Sequence, residues 1–63
     1  MSDDKDLLTP EEVARRCSLG RTTIYELMNN GELPSIKIGR ARRIPATAVT
    51  ALIARKLEEA AHA

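Results

Sequence analysis

Between Gly20 and Pro45 the sequence reads GRTTIYELMNNGELPSIKIGRARRIP, and its glycines leave room only for short elements. Ile24, Leu27 and Met28 fall at i, i+3 and i+4, which predicts an amphipathic helix from Arg21 to about Asn30. Gly31 is the residue type that closes a helix in the left-handed conformation. Glu32-Leu33-Pro34 forms a connector, with Pro34 holding Leu33 extended. Ser35 to Ile38 alternates polar and apolar, placing Ile36 and Ile38 on one face. Gly39-Arg40-Ala41 makes a tight turn, Arg42 to Ile44 returns, and Pro45 stops the strand. The product is a two-stranded hairpin with a basic tip, too small to stand without a helix to pack on.

The flanks supply two more helices. Thr9 is an N-cap, Pro10 takes the first helical position, and Glu12 completes a capping box. Leu8 before the cap and Val13 after it can form a hydrophobic staple. Glu11 and Glu12 suit the positive end of the helix dipole. Val13, Ala14 and Cys17 give this first helix a short apolar face, ending near Cys17 or Ser18. Ser18-Leu19-Gly20 is then a three-residue turn, with Leu19 expected to plug between the two helices and Gly20 serving as the N-cap of the next. Two short helices joined this way make a helix-turn-helix, although an ordinary helical hairpin has the same outline. The third helix runs from about Thr47 to Ala60, with Val49, Leu52, Ile53 and Leu57 on its apolar face; beyond Leu57 the stripe is lost and fraying is expected. The domain layout is an acidic disordered leader at 1–6, a folded domain at 7–57 and a frayed tail at 58–63.

Size and composition exclude several functions. A chain of 63 residues is one domain at most, with a core built from aliphatic residues because it holds one tyrosine and no phenylalanine or tryptophan. Such a core leaves little room for a deep catalytic pocket. The single cysteine, Cys17, rules out an internal disulfide and a multi-cysteine zinc site, and suits a reducing cytoplasmic setting. No apolar run approaches a membrane span. His62 has no partner motif, and Ser18 and Ser35 lack a general base in motif reach. The expectation is a chain that is not an enzyme, with no cofactor, metal or small-molecule substrate.

The net charge of +1 conceals segregation: residues 1–12 carry −4, residues 13–43 carry +5, and residues 44–63 balance. Local charge is what a polyanion meets. Lys37, Arg40, Arg42 and Arg43 have no acid among them, whereas a purely structural hairpin intersperses charges. Arg40 at the tip can enter a minor groove, while Lys37 and Arg42 hold flanking phosphates. The competing reading is edge-strand protection by positive charge. On the second helix, Thr22, Tyr25, Glu26 and Asn29 share the face opposite Ile24, Leu27 and Met28, with Arg21 and Thr23 at its N-terminal end. A major groove admits one helix, and such side chains match its donors and acceptors. Glu26 can accept from cytosine, repel phosphate or pair with a nearby base. Arg15 and Arg16 fit both a backbone contact across the groove and the negative end of their own helix.

These segments, LLTPEEVA, RTTIYELMNNGELP and KIGRARRIP above all, resemble the excisionase-type winged helix-turn-helix, related to the DNA-binding domain of MerR-class regulators. The resemblance covers Leu7 to Ile53. It implies a mostly α fold with a small β-hairpin: helix-turn-helix, two-stranded wing, C-terminal helix. It implies a recognition helix in the major groove, with Arg21, Thr22, Thr23 and Tyr25 as its contacts and Lys37, Arg40, Arg42 and Arg43 as wing contacts. One departure concerns the turn: the family has Gly first and Ser or Thr as the second helix's N-cap, where this chain has Ser18 and Gly20. By resemblance, small free-standing members are bacterial phage excisionases, recombination directionality factors. These bind and bend double-stranded attachment-site DNA, self-associate cooperatively on it, and direct an integrase toward excision. A small MerR-like transcriptional regulator is the alternative. A protein-interaction adaptor using the third helix is an alternative of another class.

Overall fold

A computed structural model describes residues 6–62. Six elements follow one another: β1 (Leu7–Leu8), α1 (Pro10–Cys17), α2 (Arg21–Asn29), β2 (Ile36–Ile38), β3 (Ala41–Pro45) and α3 (Ala46–Ala61). The mostly helical winged helix-turn-helix is present, and its sheet has three antiparallel strands in the order β1-β3-β2. The added strand is the pair of leucines before the first helix. Leu7 lies opposite Pro45 and Leu8 opposite Ile44.

The start of α1 follows from the capping box. Thr9 Oγ1 accepts from the Glu12 N–H at 3.0 Å, and Glu12 Oε1 accepts from the Thr9 N–H at 2.9 Å. The staple partners Leu8 and Val13 are both buried. Leu8, Val13, Ile24, Leu33 and Ile44 are the largest fully buried side chains, and Ala14, Met28, Val49 and Leu52 complete the core. Each of those five contributes about 1.5–3 kcal/mol by leaving water. The connector after α2 is tied to α3 through Glu32. Its carboxylate meets Lys56 Nζ at 2.8 Å, and its carbonyl accepts from Arg55 Nη2 at 2.8 Å. The Lys56 hydrogen bond holds the Glu32 carboxyl below its ordinary value. This contact therefore operates at neutral pH and is lost as pH falls through that lowered value.

Several expectations are corrected. Leu19 does not plug the helices; it is 45% exposed. Ile36 and Ile38 share a face, as the alternation predicts, and that face is exposed. The register explains this: residues at alternate positions of β3 share a face, so Ile44, buried beside Leu8, puts Arg42 and its partner Lys37 on the core side. Ile36 and Ile38 are thereby turned to the outer face. On α3 only Val49 and Leu52 of the expected stripe are buried, and Leu57 is 66% exposed. The helix runs from Ala46 to Ala61, within one residue of the expected bounds at each end, and the Ala46 N–H donates to the Asp6 carbonyl at 2.9 Å. Apart from Asp6, the expected leader lies outside the described residues.

The turn between α1 and α2 carries its two special residues in an unfavourable order. Ser18 sits at φ 57, ψ 41, where glycine is at ease, and closes α1 through Ser18 N–H to Arg15 O and Leu19 N–H to Ala14 O. Gly20 sits at φ −73, ψ 156, an N-cap position where serine would serve better, and it makes no side-chain cap. A Cβ on Gly20 would meet no atom within 4 Å. Relief of left-handed strain, roughly 1–2 kcal/mol, outweighs the glycine entropy cost of about 0.5–1 kcal/mol. Ser18→Gly combined with Gly20→Ser should therefore raise thermal stability by about 1 kcal/mol, a gain of about 4–8 °C in melting temperature by circular dichroism. Thr9→Ala should lose about as much, through the broken capping box.

Candidate nucleic-acid interface

α2 and the hairpin supply the polar groups. Because Ile24 and Met28 are buried, α2 turns Thr22, Glu26 and Asn29 outward, all three exposed. Glu26 has no ion-pair partner among the described residues, so its pairing with a nearby base is not realised. Thr23 is exposed but faces elsewhere: with Leu19, Leu27, Ile53 and Leu57 it lines an open apolar groove of about 620 Å³ between the turn, α2 and α3. Thr23, expected at the N-terminal end of the helix with Arg21, thus lies apart from the outward set.

Tyr25 is only partly outward. It is half-buried against the core, and the Arg21 guanidinium lies 5.8 Å from its ring centroid. That distance is within reach of a cation–π attraction. Arg21 Nη2 also pairs with Glu11 Oε2 at 3.0 Å. The first-turn acid of α1 thus reaches the first residue of α2. This pairing was invisible to a reading along single helices, because it depends on how α1 packs against α2.

The four cations of the wing do not form one cluster. Lys37 is directly opposite Arg42 across the strands, while Arg43 is opposite Ile36 on the other face. Arg42 Nη2 donates to Ser35 Oγ at 2.9 Å, and Arg43 Nη1 donates to the Arg42 carbonyl at 2.9 Å. Arg40 is exposed in the turn beside Gly39, which takes φ 62. None of the four has an acidic partner among the described residues. Like charges directly opposite on a sheet repel, so the Lys37–Arg42 pair disfavours the isolated hairpin and favours a bound anion. Arg15 and Arg16 are exposed in the last turn of α1, where the dipole reading and the backbone-contact reading both remain open.

Among the described residues there is no group of three or more metal-ligating side chains, and no helix long and apolar enough to cross a membrane. The surface is suited to a long polyanion: neutral donors and acceptors on one helix, uncompensated cations on the hairpin beside it.

The cross-strand pair gives a test that separates folding from binding. Lys37→Glu converts a repulsive pair into an attractive one. It should stabilise the fold by about 0.2–1 kcal/mol in chemical denaturation. The same substitution should weaken binding to any duplex DNA, measured by fluorescence anisotropy, because a positive charge on the wing becomes a negative one.

The family model described as "Helix-turn-helix domain" matches residues 7–57. A "Probable excisionase" of Saccharopolyspora erythraea is 49% identical over 53 residues, which is 84% of this chain and 54% of that protein. An "Excisionase" of Streptomyces ambofaciens is 46% identical over 55 residues, which is 87% of this chain and 89% of that protein. The chain thus spans about half of the first relative and most of the second. No solved structure gives a significant match. The chain belongs to the excisionase family of helix-turn-helix proteins.

Proposed function

We propose that this protein binds double-stranded DNA sequence-specifically and acts as an excisionase, bending attachment-site DNA so that an integrase works in the direction of excision. One observation carries the reading: in a fold of the excisionase family, the wing beside the exposed polar face of α2 presents four cations that have no acidic partner among the described residues. α2 lies in the major groove, with Arg21, Thr22, Glu26 and Asn29 toward the base edges. Lys37, Arg40 and Arg42 hold phosphates, and Arg40 reaches the minor groove. Thr23 and Tyr25 take supporting places. The protein carries out no catalysis itself; bond breakage and rejoining belong to the integrase. It acts in the cytoplasm, on DNA, and adjacent copies associate cooperatively.

The division of labour is testable by substitution. Arg40→Ala should weaken binding to all sequences alike and flatten the salt dependence of log K by about 0.9, one phosphate contact. Thr22→Ala should instead relax the preference among bases. Equal losses on specific and random duplexes for Thr22→Ala would contradict α2 as the reader.

The biological role is tested on the DNA flanking the protein's own gene. Footprinting should show protection beside an integrase gene, mobility shifts should show stepwise complexes, and circularly permuted probes should show a bend. Addition of the protein to the neighbouring integrase should promote excision. A single unbent complex on a promoter, with no change in excision, would instead indicate a transcriptional regulator.

A further inference from the structure

Arg21 stands at the first position of the helix proposed to read bases, yet it is not free. Glu11 Oε2 holds its Nη2 at 3.0 Å, and the Tyr25 ring lies 5.8 Å from its guanidinium carbon. Tyr25 is itself partly buried and packed against the core. The pair is well exposed, with side-chain accessibilities of 64% for Arg21 and 47% for Glu11. Exposed pairs of this kind add little to folding stability. The consequence of the pair lies in what it does to the guanidinium.

A guanidinium offers five N–H donors in one plane. Here a carboxylate occupies part of that plane, and an aromatic ring lies against the guanidinium. The remaining donors are left for another acceptor. The neighbouring carboxylate also cancels most of the local positive charge, and it repels any phosphate that approaches. A base edge is different: guanine O6 and N7 are neutral acceptors in a bidentate arrangement. They suffer far less from a nearby carboxylate than a phosphate does.

We infer that Glu11 is a positioning residue for DNA discrimination: together with Tyr25 it orients Arg21 toward base edges and denies it to the phosphate backbone. This rests on the reading of α2 as the helix in the groove. The unpaired cations of the wing supply phosphate affinity elsewhere, so the pairing of Arg21 sacrifices affinity where discrimination is needed. The wing cations Lys37, Arg40 and Arg42 show the opposite arrangement, with no acidic partner among the described residues.

The test is a double-substitution cycle in the full-length chain: wild type, Glu11→Gln, Arg21→Ala, and both together. The probes are a duplex selected by the wild-type protein from a randomised pool and a random-sequence duplex of equal length, titrated across salt concentration. Glu11→Gln should tighten binding to the random duplex about threefold or more, with a salt slope steeper by about 0.9, the signature of one added phosphate contact. Affinity for the selected duplex should change less, so the discrimination ratio falls. Glu11→Ala should give the same shift, which guards against a particular effect of glutamine. With Arg21→Ala in place, loss of Glu11 should alter nothing.

Tightening of the same size in the Arg21→Ala background would overturn the inference, because Glu11 would then act on DNA by direct repulsion. An unchanged ratio in Glu11→Gln, with Arg21→Ala still lowering it, would also overturn it while leaving α2 as the reader. Unchanged discrimination in Arg21→Ala would remove Arg21 from base reading, and the inference with it; retained sensitivity to Thr22→Ala would show that α2 still reads.

Discussion

The pairing of Leu8 with Ile44 holds the two halves of the molecule together. Both side chains are buried, and each stands at a boundary: Leu8 immediately before the cap of α1, Ile44 at the base of the wing. Their register sets the phase of β3, and the phase of β3 sets which residues of the wing look inward. Once Ile44 is in the core, Lys37 and Arg42 must share its side of the sheet, and Ile36, Ile38 and Arg43 must share the other. A slip of one residue would exchange these sets. The placement of the wing's charges is thus a consequence of burying one isoleucine.

The ion pairs among the described residues all lie away from the wing. Glu11 neutralises Arg21, and Glu32 with Glu59 neutralises Lys56. The hairpin keeps Lys37 opposite Arg42, and neither has an acidic partner among the described residues. Such an arrangement costs stability in the free protein, and a polyanion removes the cost. A net charge of +1 is therefore compatible with tight binding to DNA, because the charge that matters is local.

Much of this was legible in the sequence where the signal was local. The capping box at Thr9 and Glu12, the glycine closure at Gly31 and the stripe of Ile24 and Met28 depend on neighbours within a few residues, and each is where the pattern placed it. What was missed depends on long-range packing. Alternation in Ser35 to Ile38 revealed that Ile36 and Ile38 share a face, but which face meets the core was decided by Ile44 and a strand that begins at Leu7. Leu19 was expected inside because it is apolar, yet the closure of α1 at Ser18 carries it outward. The contact of Glu11 with Arg21 joins two helices and leaves no trace in the periodicity of either. The swapped Ser18 and Gly20 were visible as a departure from the family turn, and their backbone angles show its physical meaning.

On the proposed function, a chain of nearly balanced charge grips a DNA backbone through a few cations of its wing. Measurement of the binding constant for duplex DNA across salt concentration tests it most directly. With the wing and the neighbouring arginines engaged, log K should fall with log salt at a slope of about −3 to −5, about 0.9 for each phosphate neutralised. A slope near zero would contradict the account, since it would mean that the wing of this protein holds no phosphates.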